Sequence, residues 1–109
     1  MLFSKYLLVS EEFDNHIDIL KGLQQNVLPE GSVLLCVNRT TPNLMEIYSI
    51  NEFERPHVKT DDLLIIAICK NRKDARDKCA NILADYVAEH KNFERFKEKF
   101  CIEQKIIED

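Results

Sequence analysis

The sequence predicts an α+β fold: a sheet of four strands, or five if the tail adds one, antiparallel or mixed, with helices packed on it. Residues 33–37 and 63–69 are apolar without a break, whereas a strand with one face in water alternates apolar and polar side chains. Both strands are therefore expected to be covered on two faces. Two other segments repeat apolar residues at helical spacing. A chain of 109 residues suits one domain, over residues 1–109.

The first half of the chain predicts a strand, a helix and a two-stranded hairpin. Residues 2–9 form the first strand, and Ser10 is a suitable cap for a following helix. Pro29 and Gly31 end that helix. A strand at 32–39, a turn at 40–43 and a strand at 44–53 follow, the last an edge strand because polar residues interrupt it. The apolar stripe of the helix consists of Phe13, Ile17, Leu20, Leu23 and Val27.

The second half predicts a central strand at 63–70 and a helix from its cap at Asn71 to about His90. We expect the two long helices to lie on one face of the sheet. The tail, 92–109, is open to two interpretations, so the order is β-α-β-β-β-α-(α or β). A terminal strand would give an elaborated ferredoxin-like sandwich, and a terminal helix an antiparallel meander. The helix aligns Phe93, Phe96, Phe100 and Ile107, whereas the strand aligns Phe100, Ile102 and Ile106.

Composition excludes several functions. Gly22 and Gly31 are the only glycines, so no glycine-rich phosphate loop can form. The net charge of −4 disfavours non-specific nucleic-acid binding. No apolar run is long enough to cross a membrane, so no membrane partner is expected. No C-x-x-C pair exists among Cys36, Cys69, Cys79 and Cys101, and reduced thiols indicate a cytoplasmic protein. We expect Cys36, Cys69 and Cys79 to be buried.

A cluster of basic residues marks the predicted start of the second helix. Helix N-termini attract anions, so this cluster predicts a site for a phosphate, a nucleic-acid backbone or an acidic partner. The alternative is a solvated helix start in which Lys73 pairs with Asp77 and Lys78 with Asp74. The candidate anion- or partner-binding residues are Lys70, Arg72, Lys73 and Arg76.

The loop at 54–62 offers a second alternative, a metal-dependent enzyme, because carboxylates and imidazole ligate divalent metals. The residues are Glu54, His57, Asp61 and Asp62, and their spacing matches no known motif. His16 and His90 fall on apolar helix stripes, where partly buried histidines are expected. We therefore predict no catalytic residue, no metal ligand and no cofactor.

The leading interpretation is a small cytosolic protein-interaction or regulatory domain, acting as a homodimer or bound to another protein. It follows from the doubly apolar strands, because few elements of so short a chain are free to cover a second face. Either the C-terminal segment or another chain would cover it. The expected interface is hydrophobic with charged rims, and includes Ile102 and Ile106.

Overall fold

The computed structural model describes residues 2–11, 13, 16–23, 28, 30–53, 63–104 and 106–108. They form an α+β domain, as the sequence predicts. In chain order the elements are β1 (Leu2–Val9), α1 (His16–Leu23), β2 (Val33–Asn38), β3 (Glu46–Ser49), α2 (Ile50–Phe53), β4 (Leu63–Cys69), α3 (Arg72–His90), α4 (Phe96–Gln104) and β5 (Ile106–Glu108).

The strands form one mixed sheet in the order β3-β2-β4-β1-β5. β1 runs parallel to β4, and the other neighbouring pairs are antiparallel. The prediction that β4 is central and β3 lies at an edge is confirmed. The sheet is therefore mixed, with the single parallel pair between β1 and β4, which is not the next strand in the chain.

Both faces of the central strands are covered, as their unbroken apolar runs predict. β4 is buried along its whole length, and β2 is buried from Val33 to Val37. On one face, Ile19 of α1 packs in a core cluster with Leu34 and Ile65. On the other face, α3 and α4 pack on residues of β2 and β4. The expectation that both long helices share a face is wrong, because strands that are apolar on both faces need a helix on each.

A bulge in β4 shifts the side chains of its second half. Cys36 of β2 pairs with Ile65 and Leu35 pairs with Ala67, so Ile66 is the extra residue. Ile66 and Ala67, although consecutive, both join clusters on the α3 face. At such a bulge, a strand of alternating polarity would expose an apolar residue or bury a polar one. A strand that is apolar on both faces accommodates the bulge without either cost.

The beginning of α1 differs from the expectation. Ser10 does not lead directly into a helix, because Phe13, three residues later, is not helical. The backbone N–H of Ser10 donates to the carbonyl of Ile68 at 2.9 Å, and its carbonyl accepts from Phe13 at 3.2 Å. Ser10 therefore fastens the end of β1 to β4, and the described helix is His16–Leu23. Val27, the last member of the predicted stripe, lies outside the described residues.

The predicted third strand is shortened by a helix that begins inside it. Ser49 donates to Oε1 of Glu52 from both its backbone N–H, at 3.4 Å, and its hydroxyl, at 3.2 Å. The reach of a glutamate back to a serine three residues earlier is half of a capping box, which favours a helix start. β3 therefore ends at Ser49, and α2 occupies Ile50–Phe53.

The tail contains both a helix and a strand. α3 ends at His90, where Lys91 adopts a left-handed backbone (φ 76°) and donates its N–H to the carbonyl of Val87 at 2.8 Å. α4 follows, and the ammonium of Lys97 donates to the carbonyls of Asn38 and Thr41 in the β2–β3 turn. β5 then pairs with the first residues of β1. Within the described part of the chain, no helix is long and apolar enough to cross a membrane.

Candidate functional site

The start of α3 holds the basic cluster that the sequence indicates. Asn71 caps the helix, its side-chain oxygen accepting from the N–H of Asp74 at 2.8 Å. Arg72 forms an ion pair with Glu52 of α2, and Lys73 pairs with Asp77 at 3.1 Å. Lys70 and Arg76 are exposed.

The pair between Asp74 and Lys78, at 2.8 Å, is the better shielded of the two pairs within α3. Burial alone would raise the pKa of Asp74, but hydrogen bonds from Lys78, Ser10 and the backbone of Lys70, together with the charge of Lys78, outweigh burial and lower that pKa. Both pairs of the solvated-helix alternative are therefore present. Much of the basic charge is neutralised within the protein, so anion binding stays a prediction without structural support.

The other residues singled out in the sequence fall in three places. The loop residues Glu54, His57, Asp61 and Asp62 lie outside the described residues. Ile102 is in α4 and Ile106 in β5, but their side chains are not described, so the predicted interface stays a prediction. The side chain of His16 is likewise not described, whereas the ring of His90 lies 4.1 Å from that of Tyr86. Across the described ranges, no group of three or more His, Cys, Asp or Glu could hold a metal ion.

The cysteines are unsuited to nucleophilic chemistry. All four are free thiols, and Cys36 and Cys69 are buried. Burial raises the pKa of Cys69 to about 11 and that of Cys36 further. The reactive thiolate is therefore scarce at neutral pH.

A polar network beside the β2–β3 turn stabilises the fold. Asn43 donates to one carboxylate oxygen of Glu46 at 2.8 Å, and the hydroxyl of Tyr48 donates to the other at 2.9 Å. Burial alone would raise the pKa of Glu46, but these hydrogen bonds lower it. One carboxylate oxygen thus holds β3 to its turn, and the other is engaged within β3.

A groove opens on the face of the sheet that α3 and α4 cover. It encloses about 250 Å³ between β1 and the two helices. Ile66 of β4, Ile82 of α3 and Phe100 of α4 supply apolar side chains to it. The remaining lining residues are Tyr6, Leu8, Asp85, Tyr86 and Glu89. α3 and α4 therefore leave part of this face open beside β1.

The β1 side of the groove exposes large apolar side chains. Tyr6 is 51% and Leu8 is 43% exposed. Residues 4–7 of β1 lie opposite Ile66 alone, because Phe3 pairs with Ile65 and Leu8 with Ala67. Within this irregular stretch the N–H of Tyr6 is satisfied locally, by the hydroxyl of Ser4 at 3.1 Å. β1 thus presents two large apolar side chains to solvent beside an apolar groove.

Aromatic rings extend this surface along α3 and α4. Tyr86 makes an edge contact with Phe96 at 4.8 Å, and Phe96 stacks on Phe100 at 5.0 Å. Phe93, stacked on Tyr86 at 6.3 Å, is 40% exposed. Buried rings therefore hold the groove wall in place, and Phe93 extends the apolar surface at the end of α3.

The α3 side of the groove is acidic. Asp85 and Glu89 are four residues apart, so they lie one above the other on the same face of the helix. Both are exposed. In the part of the chain that the structure describes, neither carboxylate forms an ion pair, whereas Asp74 and Asp77 earlier in α3 each do.

Sequence reasoning did not find this groove. Residues 6–9 are apolar at odd and even positions alike, which predicts two covered faces for β1 as for β2 and β4. The structure leaves one side partly open, so Tyr6 and Leu8 are surface residues instead of core. The apolar pattern of β1 is visible in the sequence, but how far α3 and α4 extend over β1 cannot be read from it.

No protein-family model matches the chain, and no curated protein or solved structure is significantly similar to it.

Proposed function

We propose that the protein is a small interaction domain that binds another protein through the groove between β1, α3 and α4. The observation that supports this most directly is the exposure of Tyr6 and Leu8 beside an apolar groove. Contiguous apolar surface on a small domain marks interaction sites, and tyrosine is enriched in them. The free thiols support a cytosolic location for this binding.

The groove is better suited to side chains of a protein than to a large ligand. Small-molecule sites enclose about 300–1,000 Å³, and this groove, at about 250 Å³, is below that range. One or two side chains of a partner would fill it, and the flanking Tyr6, Leu8 and Phe93 would widen the contact. Such a central pocket with apolar surroundings is typical of a binding hot spot.

A homodimer is not needed to cover the central strands. The doubly apolar strands are covered by α1 on one face and by α3 and α4 on the other. They need no second chain. A partner other than a second copy is therefore the favoured occupant of the groove, and self-association through Ile102 and Ile106 remains the alternative.

Selection from a random-peptide display library tests the proposal. The selected peptides are measured against the wild type and against a Tyr6→Ser/Leu8→Ser double variant. We expect the double variant to lose at least tenfold in affinity, a loss of about 1.4 kcal/mol. The double variant should stay folded, because both side chains are about half exposed, and circular dichroism checks this. Lys5→Ser, an exposed neighbour that does not line the groove, is the matched control.

Light scattering on the same samples distinguishes the alternatives. A mass that is a multiple of 12.8 kDa, reduced by Ile106→Asp in a folded protein, would favour the homodimer. Peptides that bind the double variant as well as the wild type would contradict the proposed groove. A library that yields no binding peptide would contradict it as well.

A further inference from the structure

The acidic side of the groove specifies what kind of protein segment binds there. Asp85 and Glu89 line the same groove as Tyr6 and Leu8, opposite the apolar strand side. Like charges four residues apart on a helix repel each other and weaken it. A bound cation would remove that repulsion, and no cation in the described part of the chain does so.

The contrast within α3 supports this assignment. In its first half, Asp74 and Asp77 pair with Lys78 and Lys73, each four residues away. Four residues before Asp85 is Asn81, and four residues after it is Glu89. The helix thus supplies partners to its acidic residues away from the groove and none to the two that line it.

The apolar groove and its acidic side make different demands on a partner. Ile66, Ile82 and Phe100 accept a large apolar side chain. The carboxylates accept hydrogen bonds from a guanidinium or an ammonium group, and the exposed ring of Tyr6 can face such a cation. A lysine or arginine side chain satisfies both, because its apolar stem can lie along the groove while its head reaches the carboxylates.

We propose that the groove binds a protein segment in which an arginine or lysine adjoins a large apolar residue. This inference rests on the proposed function, and gives it a partner chemistry. The basic side chain lies between Asp85 and Glu89, and the apolar one packs against Tyr6 and Leu8. The net charge of −4 on the whole chain adds to the attraction for a basic segment.

The peptides from the display selection test this inference directly. We expect them to be enriched in Arg or Lys next to Leu, Ile or Phe, relative to the starting library. One enriched peptide is then measured by fluorescence anisotropy against the wild type and the isosteric Asp85→Asn/Glu89→Gln variant. The variant should bind about tenfold more weakly, or about 1.4 kcal/mol. The affinity of the variant should also depend less on salt concentration, because salt screens the attraction between exposed charges and the variant lacks two of them.

Matched changes separate a charge effect from a general loss of fold. Asp77→Asn removes a carboxylate of the same helix that does not line the groove, and should leave affinity unchanged. Replacing the peptide's basic residue by norleucine should lower its affinity for the wild type by the same factor of about ten. The same replacement should hardly change its affinity for the Asp85→Asn/Glu89→Gln variant, the neutral variant.

The outcomes distinguish this inference from the proposed function. Peptides that need Tyr6 and Leu8 but show no basic preference, and bind the neutral variant equally well, would overturn the inference and leave the groove as a binding site. Failure to select any peptide that depends on Tyr6 and Leu8 would overturn both.

Discussion

Truncation of Phe96 tests how α4 is joined to the rest of the domain. Its side chain is 2% exposed and contacts the rings of Tyr86 and Phe100. Phe96→Ala removes these contacts and leaves a cavity between α3, α4 and the sheet. Substitutions of this kind cost about 3–5 kcal/mol, a large share of the roughly 5–15 kcal/mol that stabilises a typical domain.

Phe93 provides a matched control because it belongs to the same row of rings but is 40% exposed. Phe93→Ala opens no closed cavity, and its loss of partly buried surface should cost about 1 kcal/mol. Phe96→Leu retains most of the apolar contact and should fall between the two. It also keeps the comparison measurable if Phe96→Ala is too unstable to purify.

Urea unfolding followed by circular dichroism measures the loss in free energy of unfolding for the three variants. With a denaturant slope of about 1.5 kcal/mol per M, the Phe96→Ala midpoint should fall by about 2–3 M and the Phe93→Ala midpoint by less than 1 M. Equal shifts for the two alanine variants would refute the described packing of α4. So would a loss below about 1 kcal/mol for Phe96→Ala.

Three further predictions concern the start of α3 and the thiols. Asn71→Ala removes the helix cap and should lower the free energy of unfolding by about 1 kcal/mol, whereas Asn71→Asp should retain most of it, as urea titrations would measure. The lowered pKa of Asp74 means that its contribution is fully present above its unfolded-state value and is lost as the pH falls through the folded value. Asp74→Asn, which ends the pair with Lys78, should therefore flatten the decline in thermal stability below about pH 4. Iodoacetamide should label half-buried Cys101 in the native protein long before it labels Cys36, because burial raises the pKa of the Cys36 thiol and blocks access to it. Mass spectrometry follows the two labelling rates, and equal rates would contradict the buried position of β2.

The elements that the sequence predicts best are those whose pattern has one physical cause. The unbroken runs at 33–37 and 63–69 form buried strands because both of their faces are covered. Asn71 caps α3 because its side chain competes well for a free N–H at a helix start. In each case the pattern that predicts the element lies within the segment itself, although distant helices cover the two strands.

Other elements depend on contacts that a local pattern does not contain. Ser10 resembles a helix cap, but it ends β1 instead, and its N–H donates to Ile68 of β4, more than fifty residues away. Residues 44–53 look like one strand, but Ser49 and Glu52 begin a helix there; the S-x-x-E spacing that could have indicated this is short and was outweighed by the apolar residues around it. The parallel pairing of β1 with β4 also follows from tertiary packing.

The candidate site was the least predictable part. The basic cluster was visible in the sequence because its residues are neighbours, yet two of its charges are neutralised by acidic residues of α2 and α3. The groove, in contrast, joins residues of β1, β4, α3 and α4. Only the assembled fold brings Tyr6 to the same place as Glu89.

The position of β1 between β4 and β5 has a consequence for the order in which the chain can fold. β1 is made first, but its neighbours in the sheet begin about sixty and about one hundred residues later. The β2–β3 hairpin closes through local contacts, whereas β1 stays without a partner until the C-terminal half has been synthesised. Until then Tyr6, Leu7 and Leu8 are open to non-native association. We expect a chain stopped after residue 53 to aggregate, and refolding to be slower than in a helical bundle of equal length.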